Sequence, residues 1–557
     1  MEHKFYIYCT NTASQIEVEG GETLLDIYKH LSITLTYPAV TARVNYKSEG
    51  LDYRVYNPCD VEFVDITDPS GMRAYVRSLC FVLYKAISEL HPGSRLRIEH
   101  SISHGNYCVL KNGNTPLTEE NIKAIKQRMQ EIITENIPFE RKLAHTEEVI
   151  EIFRKQNMLE KVALLKSIGD LYTNYYLLDN LADIYYSWLV PSTGYLSVFD
   201  LVPYSEGMLL LPPDTSNPSR PASIINQQKM LRAFGEYIDF NHIVGLDGVG
   251  KLNCAIEENR ASELIQVAEA LHEKKIAHIA EEIATRFKKG GARIVLISGP
   301  SSSGKTTFSK RLSVQLMTNL ITPAAISLDD YFVNRQDTPR DEYGDYDYES
   351  LYALDLERFN SDLNRLLAGE RVALPTYDFK SGSRIETGRT MQLTPNTVLI
   401  MEGIHGLNPD LTPHIPEHQK FRIYVSALTS LSIDDHSWVP TTDNRLLRRI
   451  VRDAQSRGCS AKDTIARWKS VRKGEDRWIF PYQENADAMF NSSLIFELSV
   501  IRNYATPILR AVPRNCPEYA EAARLLSFLH YFLPLPENEI PPTSLLREFL
   551  GGSSFRY

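Results

Sequence analysis

The stretch Arg293–Thr306 constrains this chain more than any other. Arg293–Ser298 is short and nearly all apolar, as a strand must be when a parallel sheet buries both its faces. Gly299-Pro300-Ser301-Ser302-Ser303-Gly304-Lys305-Thr306 follows at once and fits G-x-x-x-x-G-K-[ST] in full, and the helical stretch Thr306–Asn319 comes next. Glycines let the backbone curl so that successive N–H groups point inward at phosphate oxygens, and the helix adds the positive end of its dipole. In this pattern Lys305 reaches the β- and γ-phosphates of ATP and Thr306 ligates Mg²⁺. Gly299, Ser301, Ser302, Ser303, Gly304 and Thr307 complete the expected nucleotide cradle. A plain Gly/Ser connection is the bland alternative, and the strand before and helix after weigh against it.

Similar strand signals recur at Ala324–Ser327, Thr397–Met401, Phe421–Val425 and Ser493–Leu498, with helical stretches between them. Strands alternating with helices predict a doubly wound α/β domain with a parallel sheet over 291–510. Upstream, residues 1–66 read as small and β-rich, with strands at Lys4–Cys9, Gln15–Val18, Thr41–Val44 and Val61–Ile66 and a helix over Thr23–Leu31. Asp68-Pro69-Ser70-Gly71 marks a boundary by its turn chemistry. An α+β stretch over 67–220 follows, with helical periodicity at Glu119–Glu135 and Glu147–Lys155, and closes in the Pro-rich segment Pro212–Pro221. Residues 221–290 form a helical connector, notably Ala261–Lys289, and 511–557 a tail with one helix near Tyr519–Phe532. Three or four units also suit a length of 557 residues.

Composition excludes several classes. No stretch approaches the roughly 18 apolar residues that span a bilayer. Met1–Phe5 has no basic leader before an apolar run, and the seven cysteines form no CxxC pair, so reduced thiols in the cytoplasm are expected. A net charge of -9 argues against wrapping bulk nucleic acid while leaving room for a local basic patch.

Three features turn nucleotide binding toward phosphoryl transfer. Asp329, in Ile326-Ser327-Leu328-Asp329-Asp330-Tyr331-Phe332, follows a strand at the edge where ligands bind in such sheets. A carboxylate there can accept a hydroxyl proton or help hold Mg²⁺, although an Asp after a strand is by itself more often a helix cap. Val398-Leu399-Ile400-Met401-Glu402-Gly403 ends an apolar strand in an acid, the Walker B arrangement for Mg²⁺. Arg445, Arg448, Arg449 and Arg452 recur along one helical face, with Arg457 beyond. Residues 445–473 hold ten basic residues and two acids. A solvated face is the bland reading; in a P-loop kinase a mobile arginine lid, with Arg449 and Arg452 as its catalytic members, neutralises the transferring group.

In this order the motifs resemble the uridine kinase family, close to phosphoribulokinase. The matching pieces are the phosphate loop, Ser327-Leu328-Asp329, Tyr346-Asp347, Pro375–Phe379, Met401–Ile404, Arg445–Asp453 with Arg457-Gly458, and Asn485-Ala486-Asp487, over about 293–500. The resemblance implies that Asp329 is the base for the 5′-hydroxyl of a nucleoside. It also implies that Asp347 holds the ribose hydroxyls, Tyr377 packs near the base, and Arg384 lines the substrate side. Gly382 stands where the family carries a histidine that reads the pyrimidine edge, which leaves a purine nucleoside or another polyol open. Asp434–Thr442 also departs from the family's usual connection.

Residues 1–66 resemble the TGS β-grasp module of threonyl-tRNA synthetases, and 67–215 their second additional, editing domain. The carrying residues are His100-Ser101-Ile102-Ser103-His104, Leu117–Asn136 and Val190-Pro191-Ser192-Thr193-Gly194. Tyr185 and Leu189 occupy the places of the family's Cys and second-motif His, so His100 and His104 read as relics of a degenerate site. Two further readings stay open: a kinase for another sugar or polyol, and an RNA-binding regulator whose loop senses nucleotide. Related kinases often assemble, so a homo-oligomer is a further expectation.

Overall fold

The computed structural model describes residues 4–112, 117–341, 344–378 and 381–556; Met1–His3, together with Phe379 and Lys380 of the Tyr-Asp-Phe motif, lie outside them. Lys4–Cys9 pairs antiparallel with Ser14–Glu19 and parallel with Asp60–Val64, which continues into Thr41–Val44 and Lys47–Glu49. The helix Leu24–His30, capped by the Thr23 side chain, crosses this mixed sheet in a β-grasp arrangement. The turn Asp68–Gly71 is a helix start: Asp68 caps Pro69–Leu90, and Pro69 occupies the first turn, where no N–H is needed. The second unit adds a four-stranded and a three-stranded antiparallel sheet around that helix and Glu119–Glu135.

The C-terminal half is built on five parallel strands: β1 (Ile294–Ser298), β2 (Thr322–Ser327), β3 (Thr397–Glu402), β4 (Lys420–Ser426) and β5 (Ala488–Asn491), in the order β2-β3-β1-β4-β5. Alternate side chains of the apolar runs serve opposite faces. Val295, Ile297, Val398 and Ile400 pack with Phe308 and Leu312 of the P-loop helix Lys305–Thr318. Ile294, Leu296, Leu399 and Met401 pack with Phe359 and Leu363 on the other side. The helix Ala261–Lys288 also covers the first face through Ile276, Ile279 and Ile283, so the connector is one of the sheet's covering helices.

One strand expectation fails. Ser493–Leu498 is not the last strand; β5 ends at Asn491 and helix Glu497–Arg510 begins where a strand was expected. The apolar residues Leu494, Phe496 and Leu498 belong to a cluster with Leu446, Ile450 and Phe528, and so pack on helices rather than on the sheet. A short apolar run carries no period that tells these two fates apart.

The halves share a core. Val149, Phe153 and Leu164 of the second unit belong to the same apolar cluster as Leu446, Val500, Phe528 and Phe549. The unusual segment before the arginine helix explains itself here. Asp435 takes two bonds from Arg95 at 2.7 and 2.8 Å, and Lys161 lies between Asp183 and Asp434 at 2.6 and 2.8 Å. His436 Nδ1 lies 2.7 Å from Asp183. The segment is a charged hook that seats one half on the other.

Candidate functional site

Register places the site. Glu402 is level with Ser327 on one side and Ile297 on the other, so the carboxyl ends of β1, β2 and β3 open on one edge. From that edge depart the phosphate loop and the turn Leu328–Tyr331 that carries Asp329. The loop bends so tightly that a Cβ at Gly299 would lie 1.9 Å from the Val425 carbonyl oxygen; Gly304, at φ +85°, turns the chain into the helix.

Lys305, Asp329 and Glu402 form one desolvated electrostatic cluster. Burial pushes the Lys305 ammonium down, opposed by Glu402, Asp329 and Glu548. Burial pushes the Asp329 carboxyl up, opposed by Lys305 and Arg457. Glu402 is pushed up to about 7 by burial and by the charge of Asp329. The Thr306 hydroxyl donates to Glu402 at 3.3 Å, and Lys305 Nζ donates to the Pro300 carbonyl at 3.0 Å. Opposed shifts of this kind within one cleft are a pattern that catalytic groups share with buried structural ion pairs.

The arginine helix Thr441–Ser456 divides its cations. Arg445 is buried and paired with Glu475, and Arg448 is buried between Glu497 and Ser492, so both are fixed in ion pairs. Arg449 Nη1 donates to Ser301 Oγ at 3.0 Å, reaching the phosphate loop, and Arg452 pairs with Asp453 at 2.9 Å. Asp453 also holds Arg449 at 3.3 Å and Arg457 at 3.8 Å.

Of the residues expected on the acceptor side, Tyr377 packs edge-on against Phe332 with ring centres 5.5 Å apart, and Arg384 pairs with Asp355 at 2.9 Å. The Asp347 backbone N–H donates to Pro339 O at 2.8 Å, two residues before Glu349. Burial pushes Glu349 up to about 7, opposed by Arg449. Gly382 lies at φ +68°, and a Cβ there would meet the Arg335 guanidinium at 2.7 Å. Arg335 fills the space that a side chain at 382 would take.

Sequence motifs missed two carboxylates. Glu475 accepts from the Ser301 N–H at 3.0 Å, and Glu548 accepts from the Thr307 N–H at 3.1 Å and its hydroxyl at 2.7 Å. Both sit on N–H groups of the anion cradle. Glu475 lies in helix Ala461–Trp478 and Glu548 near the C-terminus; no local pattern ties either to a loop more than 170 residues away.

In the N-terminal half, His100 is buried and stacked on Phe234 with ring centres 3.9 Å apart, and His104 is exposed at a hairpin turn. Tyr185 and Leu189 are both core residues, and the Tyr185 hydroxyl donates to Asp183 at 3.0 Å.

Known proteins similar to parts of this chain fall into two groups. The family model described as phosphoribulokinase / uridine kinase family matches residues 294–495. The uridine kinase of Ureaplasma parvum serovar 3 is 25% identical over 195 residues, covering 35% of this chain and 85% of that kinase. The threonine–tRNA ligase of Clostridium kluyveri is 33% identical over 181 residues, 32% of this chain, which spans only 28% of the ligase's length. A solved structure titled a possible uridine kinase from Bacillus stearothermophilus superposes with a TM-score of 0.25 at 21% identity, covering 36% of this chain and 89% of that one. Residues 294–495 are a domain of the phosphoribulokinase/uridine kinase family, carried behind a half similar to the N-terminal domains of threonine–tRNA ligases.

Proposed function

We propose that this protein is an ATP-dependent kinase that transfers the γ-phosphoryl group to the 5′-hydroxyl of a nucleoside. The observation that carries this reading is the convergence of Asp329, Glu402 and Lys305 at the sheet edge, against a phosphate loop. The residues present fit a nucleotide with a divalent cation. Ser302 Oγ and Ser303 Oγ are buried without a hydrogen-bond partner among the described residues, a cost that phosphate oxygens nearby would relieve. Thr306 and Glu402 offer the all-oxygen donors that Mg²⁺ takes, and the ion supplies neutralisation of charge on the phosphate oxygens.

The chain's own groups do the rest. Asp329 accepts the proton of the attacking hydroxyl as the new O–P bond forms and the bond to the β–γ bridging oxygen breaks, with ADP leaving on that electron pair. Burial raises the basicity of Asp329, which suits the task. Lys305, Arg449 and Arg452 stabilise the charge spread over the transferring group. Asp347, Tyr377 and Arg384 line the acceptor. The seven cysteines are all free, which suits a reducing cytoplasm, and among the described residues no helix is long and apolar enough to cross a membrane.

The Arg335 guanidinium against Gly382 favours a second reading, in which the acceptor is a purine nucleoside or another polyol. ADP release measured across nucleosides and polyols separates the two. Asp329→Asn is expected to bind ATP within about twofold of wild type while turnover falls at least about 100-fold. Turnover retained in that variant removes Asp329 from its role.

A further inference from the structure

A cavity lies away from the phosphate loop, between the two halves. This cleft of about 1020 Å³ is walled by Arg73, Arg77, Arg141 and Trp188 from the N-terminal half and by Lys469 and Arg472 from the kinase half. Such a volume admits a nucleotide-sized ligand. Most of its cations have carboxylate partners: Arg73 pairs with Glu521, Arg524 with Asp443 and Glu521, and Arg472 with Glu475 and Asp476. Arg77 has none among the described residues. It is 9% exposed, and its Nε and Nη2 both donate to the Trp188 carbonyl, at 3.2 and 2.9 Å. Among the described residues its Nη1 makes no hydrogen bond, and Arg77 lines the cleft.

A desolvated guanidinium without a counter-ion is costly, and Arg73 and Arg524 beside it make it more so. Its pKa is pushed down to about 10 by burial, which leaves it charged at neutral pH. An anion in the cleft supplies the missing partner. Trp188 also lines the cleft, and the Arg141 guanidinium lies 4.5 Å from its ring centre, a planar cationic surface on which an aromatic base can stack.

We infer that this cleft binds a nucleoside phosphate, its phosphate on Arg77 and its base beside Trp188, at a site separate from the phosphate loop. The choice of nucleoside phosphate over a bare anion rests in part on the proposed kinase activity, whose product belongs to that class. The cleft is joined to the loop by one helix. Arg472 on the cleft side holds Glu475 at 2.8 Å, and Glu475 accepts from the Ser301 N–H of the loop. A phosphate that draws Arg472 away loosens that contact, so occupancy of the cleft alters ATP binding.

The test uses the full chain and titration calorimetry with nucleoside mono- and triphosphates. Lys305→Ala disables the phosphate loop, and a nucleoside phosphate is expected to bind this variant still, with one site per chain. Adding Arg77→Met weakens that binding at least about tenfold, as loss of a charged hydrogen bond requires. Arg141 is exposed, so Arg141→Ala leaves the core intact and is expected to weaken binding in the same direction. No binding to Lys305→Ala, or binding indifferent to both arginine variants, overturns the site whatever the acceptor proves to be. Inorganic phosphate binding as tightly as the nucleotides overturns the base contact. A nucleoside phosphate that shifts the KM for ATP in wild type but not in Arg141→Ala supports the coupling, and an unchanged KM in wild type overturns it.

Discussion

Removal of the Glu548 carboxylate is expected to tighten ATP binding. Its Oε2 accepts from both the N–H and the hydroxyl of Thr307, in the first turn of the helix that opens after the phosphate loop. A helix N-terminus of this kind is where a nucleotide phosphate accepts, so the carboxylate and the phosphate compete for one position. The tail that presents it is firmly held: Leu545 is buried in the sheet core, and Phe549 packs under the Arg448 guanidinium at 4.9 Å. Hydrogen bonds to a charged group are worth about 1.5–3 kcal/mol net. At the low end of that range, the loop is open in about one molecule in thirteen, and apparent affinity is reduced by that fraction. Glu548→Ala is therefore expected to lower the KM for ATP about tenfold with kcat unchanged. Glu548→Gln retains a neutral acceptor of roughly half the strength and is expected to lower it about threefold. Initial rates of ADP release at fixed acceptor and varied ATP measure both, and calorimetry with ATP alone checks that the change is in binding. A KM that stays the same or rises in both variants would refute the competition.

Three further outcomes follow from the geometry. Gly382→His, which installs the residue that the family resemblance implies at this position, forces a side chain into φ +68° and onto the Arg335 guanidinium; it is expected to cost about 1–3 kcal/mol in urea unfolding and not to create uridine selectivity, and a stable, uridine-selective variant would contradict this. Lys161→Met strands the buried carboxylates of Asp183 and Asp434 and is expected to cost about 3–5 kcal/mol, with a loss below about 1 kcal/mol counting against the hook. His100, buried against Phe234, has its pKa pushed down to about 3 by burial, so its contribution is complete above the unfolded value near 6.5 and is lost as pH falls. Glu349 and Glu402, both pushed up to about 7, act in the opposite sense, so the comparison of His100→Phe with wild type isolates the histidine. The variant is expected to lose about 1.4 kcal/mol less stability per pH unit below 6.5, and parallel slopes would sink the assignment.

The place of the loop in the fold was legible because its parts are local: strand, glycine turn, lysine and helix are contiguous in the chain. Asp329 and Glu402 were legible for a related reason, since each follows an apolar strand directly and a parallel sheet brings such strand ends to one edge. Four arginines on one helical face were legible as a cluster but not by fate. Which of them is locked by Glu475 or Glu497 depends on residues about 30 and 49 positions away.

What the sequence alone determined, then, is the phosphate loop, the parallel strands that carry it and the acids at their ends. Tertiary structure decided how the halves are joined and what covers the loop. The hook Asp434–His436 and the contacts of Glu475, Glu548 and Arg77 arise only across chain separations that no period or motif spans. The physical reason is that a hydrogen bond or ion pair leaves a local signature only when both partners lie within one element. When the partners come from different elements, only the packed core fixes their meeting.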